Sequence, residues 1–182
     1  MENEVDVFRD VSSRLESAGI EFMLTGSFAM NYYAQPRMTR DIDLVVKIAG
    51  DQTDLLVDIF EDDYYIDRVA IKKAIALRSL FNIIHNKTIL KFDCIVLKDG
   101  QYRQEEFSRR RQITLRDFQT WIVSREDLIL SKLYWARDSR SEMQFRDIKN
   151  LLASDCDMAY LRSRAEMLGV KPLLIEFLNS HE

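Results

Sequence analysis

The segment from Ile20 to Ile48 limits the possible folds more than any other stretch of this chain. "IEFMLTG" reads as a buried strand that stops at Gly26-Ser27. "SFAMNYYA" then reads as a short helix that opens on Ser27 and stops before Pro36, since the residue preceding a proline is pushed out of the helical region. After the polar loop "QPRMTR", the β-branched run "DIDLVVKI" suits a buried central strand. Together these pieces predict a mixed α/β front to the molecule.

The flanking sequence extends the pattern. Val5, Phe8, Val11 and Leu15 recur at helical spacing and predict an amphipathic helix closed by Gly19. "DQTDLLVDIFED", with Asp51 or Thr53 as candidate caps, and "DRVAIKKAIALRS" supply two more helices. Two apolar runs around "HNKT" predict a β-hairpin, although its turn lacks glycine. Beyond Gly100, "QYRQEEFSRRRQITLRDF" reads as part helix and part short strand. Ser124 and Asp127 match a capping box, Ser141 and Asp157 open further helices, and Pro172 lies near the first turn of the last one. The expected fold class is α+β: a mixed sheet flanked by helices over residues 1–120, followed by a C-terminal helical bundle over 121–182 packed on it.

Only five glycines and two prolines punctuate the chain, in keeping with long regular elements. Hydrophobic residues at 47% and charged residues at 31% argue against disorder, and a net charge of −4 argues against a broad nucleic-acid surface. The acidic start "MENEVDVFRD" is unlike a signal peptide, and no apolar run is long enough to span a membrane. Cys94 and Cys156 form no CxxC pattern and are expected as free thiols in a reducing cytosol, so a cytoplasmic protein is expected.

Three features can carry chemistry. Asp41 and Asp43, two positions apart on a strand, emerge on one face with Cα atoms about 6.5–7 Å apart. Carboxylates at that spacing can share a hard divalent ion such as Mg²⁺, and a solvated strand end is the structural alternative. Gly26-Ser27 at a strand-to-helix turn is an anion cradle, because glycine lets a phosphate approach the backbone and the helix N–H groups point at it. Here the alternative is that Ser27 merely caps the helix. Asp93 is a lone acid in the apolar strand "ILKFDCIVL", and an unpaired charge there needs compensation from a metal or from Lys91 on the same face.

With these residues in place, "GSFAMNYYAQPRMTRDIDLVV" resembles the signature of the nucleotidyltransferase superfamily, the DNA-polymerase-β-like fold. Gly26, Ser27, Arg37, Thr39, Asp41, Asp43 and Asp93 stand at the matching positions. The back half, "SREDLILSKLYWARDSRSEMQFRDIKNLL", resembles small bacterial proteins of this superfamily in the branch that includes abortive-infection toxins. The resemblance implies a Mg²⁺-dependent enzyme, with Mn²⁺ as a substitute ion, that moves a nucleoside monophosphate from a nucleoside triphosphate to a hydroxyl on RNA, protein or a small molecule. Asp41, Asp43 and Asp93 would hold metal and perform catalysis. Gly26, Ser27, Arg37, Thr39, Lys132 and Asp147 would bind the nucleotide. The competing reading is a silent nucleotide- or partner-binding module, for instance of a toxin–antitoxin pair.

Several other residues invite weaker readings. Arg40, next to the acidic strand, could meet triphosphate or neutralise the aspartates, and Asp147 could instead pair with Arg146 or Arg140. Arg109–Arg111 is the dense basic run, read first as a solvated helix face or loop. Tyr32, Tyr33, Tyr134 and Trp135 are read as packing residues, and His85 and His181 have no spacing that suggests zinc.

Overall fold

The computed structural model describes residues 3–39 and 41–179, so Arg40 and His181 lie outside the described residues. The front of the chain runs α1 (Glu4–Ser17), β1 (Glu21–Thr25), α2 (Gly26–Tyr33), β2 (Asp41–Lys47), a 3-10 turn (Gly50–Gln52), α3 (Thr53–Asp58), β3 (Tyr64–Ile66), α4 (Arg68–Leu77), β4 (Leu80–His85) and β5 (Lys91–Val96). It continues with α5 (Gln101–Ser108), β6 (Arg111–Leu115) and β7 (Phe118–Ile122), then helices α6 (Arg125–Ser139), α7 (Glu142–Leu152), α8 (Met158–Met167) and α9 (Lys171–Asn179). The strands form one seven-stranded sheet in the order β3-β4-β5-β2-β1-β7-β6. β2 pairs with β5 and β1 with β7 in parallel, and the remaining pairs are antiparallel.

Alternation along the central strands separates a buried face from a working one. On β2, Ile42, Leu44 and Val46 are buried while Asp41, Asp43 and Val45 are half-buried, and on β5 Phe92, Cys94 and Val96 are buried while Lys91, Asp93 and Ile95 are half-buried. The apolar face joins Phe8, Phe22, Phe60 and Phe81 in a core that also takes in Leu133, Ile148 and Leu174 from the C-terminal helices. Helix α6 is buried on several sides, by Leu128, Ile129, Leu130, Leu133 and Ala136, and packs against α2, α7, α8 and α9. Both cysteines are free thiols, and among the described residues no helix is long and apolar enough to cross a membrane.

Local chemistry explains most boundaries. Asn3 and Asp6 form the capping box of α1, Asp67 caps α4, and the Ser124 hydroxyl accepts the Asp127 N–H at the start of α6. Neither Asp51 nor Thr53 caps as expected. The Gln52 side chain accepts the Ala49 N–H instead, and the Thr53 hydroxyl donates to the Gly50 carbonyl. Strand β3 escapes the sequence reading because three residues are too short for a visible alternation.

Candidate active site

The register of the sheet assembles the acids. Asp41 lies opposite Lys91 and Asp43 opposite Asp93 across β2 and β5, while Thr25 pairs with Asp43 and Asn82 with Asp93 on the outer neighbours. Thr25, Asp43, Asp93 and Asn82 therefore form a row across four strands, with adjacent strands about 4.8 Å apart. The Asn82 amide donates to the Asp93 carboxylate. The Lys91 ammonium lies 3.4 Å from Asp41 Oδ2 and 3.2 Å from Asp93 Oδ1, so these two acids share it as a counter-cation. Lys91 is held above the usual lysine range: burial works against its charge, and hydrogen bonding and attraction from Asp93 and Asp41 outweigh it.

Asp43 is half-buried in the row. Burial, then the nearby Asp93 and Asp41 charges, push its carboxyl up to about 6, with Lys132 and the Ser27 backbone acting in the opposite direction. Gly26 lies directly against it. A Cβ at Gly26 would stand 1.9 Å from Asp43 Oδ2, and its φ of +64° is left-handed, so glycine is required here by both sterics and backbone. The strand-to-helix turn and the carboxylate row are thus in contact.

Beside Ser27 lies a chain of ionic hydrogen bonds. Arg37 donates to Ser27 Oγ at 2.6 Å and grips the fully buried Asp147 with Nε at 3.1 Å and a terminal nitrogen at 3.0 Å. The Lys132 ammonium reaches the same Asp147 at 2.8 Å and Gln144 at 3.3 Å. Burial opposes the charge on Asp147, but Arg37 and Lys132 hold its carboxyl below the ordinary range. The pairing with Arg146 or Arg140 does not form: Asp147 is on the buried side of α7, while both arginines are exposed. Nor is Lys132 solvent-facing, as a helical lysine usually is; its side chain is only 6% exposed. Asn31 fixes the loop before β2 through two hydrogen bonds with the Arg37 backbone, and the Thr39 hydroxyl donates to the Asp41 carbonyl.

A cleft of about 340 Å³ opens over this face. Gly26, Ser27, Asp43, Asp93 and Lys132 line it, with Val45, Ile95 and Leu128 supplying apolar wall. Sequence reasoning missed Arg103, Glu106 and Ser131, which meet in the same cleft through hydrogen bonds of 2.7–2.9 Å. Their one sequence signal is the helical i,i+3 spacing of Arg103 and Glu106. Trp135 was expected to pack, yet it is 67% exposed at the cleft, one turn beyond Lys132. The arginine run is largely built into the protein: Arg109 pairs with Asp127 and stacks on Tyr160, and Arg110 pairs with Glu21 between Phe107 and Trp121. His85 is buried at the end of β4, with Nδ1 2.8 Å from the Thr88 hydroxyl.

No protein-family model matches the sequence, and a search of curated proteins finds no match. Solved structures do resemble it. The antibiotic-resistance factor ANT(2'')-Ia in solution superposes with a TM-score of 0.62 at 14% identity over 98% of both chains. The fold is that of the nucleotidyltransferases. An antigenic nucleotidyltransferase-like protein from Paracoccidioides brasiliensis aligns at TM-score 0.59 and 17% identity, over 95% of this chain and 90% of that one. The lincosamide antibiotic adenylyltransferase LnuA, bound to lincomycin, aligns at TM-score 0.55 and 17% identity, over 82% of this chain and 96% of that one.

The donor set suits a hard divalent ion. Three carboxylates on neighbouring strands offer only oxygen, and their mutual repulsion, visible in Asp43, is what a cation would relieve. Among the described residues, no three acidic, histidine or cysteine side chains already converge as a finished cage. An ion held by one or two carboxylates and completed by phosphate oxygens and water is the mode Mg²⁺ favours.

Proposed function

We propose that the protein is a Mg²⁺-dependent nucleotidyltransferase that moves a nucleoside monophosphate from a nucleoside triphosphate to a hydroxyl on a small molecule. The contact between Gly26 and Asp43 carries this reading, because it brings a strand-to-helix turn of the kind that binds anions directly against a carboxylate row. Residues 1–120 would form the catalytic core, with residues 121–182 contributing Lys132 and Asp147.

Asp41 and Asp43 would hold the ion, with Asp93 beside them. Bound there, Mg²⁺ would neutralise phosphate charge and polarise the reacting phosphoryl group. The backbone at Gly26-Ser27 and the Ser27 hydroxyl would hold the terminal phosphates, and Arg37 and Lys132, oriented by Asp147, would face them with positive charge. Trp135 offers an exposed ring on which the base can stack. Asp93, steadied by Asn82, would take the proton of the acceptor hydroxyl. The acceptor oxygen then bonds to the α-phosphorus as the bond to the bridging oxygen breaks and pyrophosphate leaves.

A small acceptor is favoured over a polynucleotide. The cleft has the volume of a small-molecule site, and two of the three clustered arginines are committed internally. Two structural neighbours point the same way: LnuA is seen with lincomycin, and ANT(2'')-Ia with adenylyl-2''-tobramycin. A toxin–antitoxin setting rests on the sequence of the back half alone and adds no residue to this reaction.

The test incubates purified protein and Mg²⁺ with each α-labelled nucleoside triphosphate, offering hydroxylated small molecules in one arm and total RNA or lysate protein in another. Label should pass to a small molecule with wild type and be lost with Asp41→Ala and with Asp43→Ala. Transfer only to RNA or protein would overturn the acceptor class, and nucleotide binding without transfer to any acceptor would favour a silent module.

A further inference from the structure

Lys91 stands where the acid cluster and a divalent ion would compete. It shares a strand face with Asp93 and lies opposite Asp41 in register. Its ammonium is 3.4 Å from Asp41 Oδ2, and 3.2 and 3.3 Å from the two Asp93 oxygens, so it takes up an oxygen of Asp41 and both oxygens of Asp93. The side chain is 35% exposed, and its four-carbon stem gives the ammonium freedom to leave. Among the described residues, Lys132 and Arg37 have a different partner: both are tied to Asp147.

We propose that Lys91 is a tethered counter-cation that neutralises Asp41 and Asp93 until a divalent ion binds, and that it must be displaced for the ion to enter. This rests on the metal-dependent reading above. A divalent ion approaches carboxylate oxygen to about 2.0–2.1 Å, and a positive charge already held by Asp41 and by the adjacent Asp93 opposes it at short range. The exchange has two consequences. Part of the repulsion among the three carboxylates is relieved in the metal-free protein, and the affinity for metal is set lower than the carboxylates alone would give.

The experiment titrates Mn²⁺ alone into the full chain and follows free Mn²⁺ by electron paramagnetic resonance, for wild type, Lys91→Met, Lys91→Gln and Lys91→Arg. The methionine and glutamine variants should bind Mn²⁺ roughly ten-fold more tightly than wild type, and the arginine variant should not gain affinity. In chelator, the two neutral variants should melt below wild type and recover more on adding Mn²⁺. Two neutral variants guard against one that fails to fold, with circular dichroism as the control. Equal or weaker Mn²⁺ binding by the folded neutral variants, while Asp41→Ala abolishes wild-type binding, would sink the role of Lys91 and leave the metal reading intact. Absence of Mn²⁺ binding by wild type and all variants would overturn both.

Discussion

Asp43 shows what a single side chain must tolerate in this site. Its carboxyl is raised to about 6 by burial first and by Asp93 and Asp41 next, against an ordinary value of 3.8 that it would have in the unfolded chain. Between these two values the native state holds the extra proton, so stability falls as pH rises through that window, and the penalty is complete above about pH 6. In chelator, the metal-free protein should therefore gain on the order of 1–2 kcal/mol from this group between pH 7.5 and pH 4, after allowance for solvent screening. Melting curves of wild type and Asp43→Asn across that range check it: wild type should gain stability relative to the variant as pH falls, and a constant difference would refute the assignment. The candidate acids themselves were legible as residues, since D-x-D on a strand can only project to one face. Asp41 was legible as a neighbour of Asp43, but the contact with Asp93 was not, because Asp93 reaches it through strand pairing rather than through local sequence.

The hairpin of β4 and β5 shows how an element can be legible while its strain is not. The apolar runs around "HNKT" announce two strands, and the structure pairs them antiparallel. The glycine missing from the turn is replaced at cost: Ile89 adopts φ +57°, a left-handed conformation that a β-branched residue rarely takes. At 70% exposure, Ile89 gains little burial in return. Ile89→Gly should raise stability by about 0.5–1 kcal/mol, the relief of left-handed strain less the backbone entropy of glycine. Urea denaturation would show a higher midpoint at unchanged slope, and a lower midpoint would mean the turn is better satisfied than its backbone implies. Arg78 and Arg140 fill left-handed helix ends in the same way, as expected of a chain with so few glycines.

For the molecule as a whole, Asp127 ties the C-terminal helices to the sheet-bearing front. Fully buried, it accepts from Ser124 at 2.6 Å, Tyr160 at 2.7 Å, Tyr102 at 3.1 Å and Arg109 at 3.1 Å, joining α5, α6 and α8. Asp127→Ala would leave several donors, one of them a cation, without an acceptor, and should cost about 3–5 kcal/mol. Chemical denaturation measures this directly, and a loss under 1 kcal/mol would show that the helices are held by apolar packing alone. The sequence reading saw Asp127 only as a capping residue, because a cap is a local pattern and the other partners come from distant segments.

The sequence by itself determined the alternation of strand and helix, the shared face of Asp41 and Asp43, and the Gly-Ser turn, since backbone sterics and side-chain periodicity act over a few residues. Tertiary structure alone decided that Asp93 stands beside Asp43, that Lys91 bridges two acids, and that Arg37 finds Asp147 from 110 positions away. Such pairings depend on strand register and helix packing, and these are settled by burying one continuous apolar face rather than by any neighbouring residue.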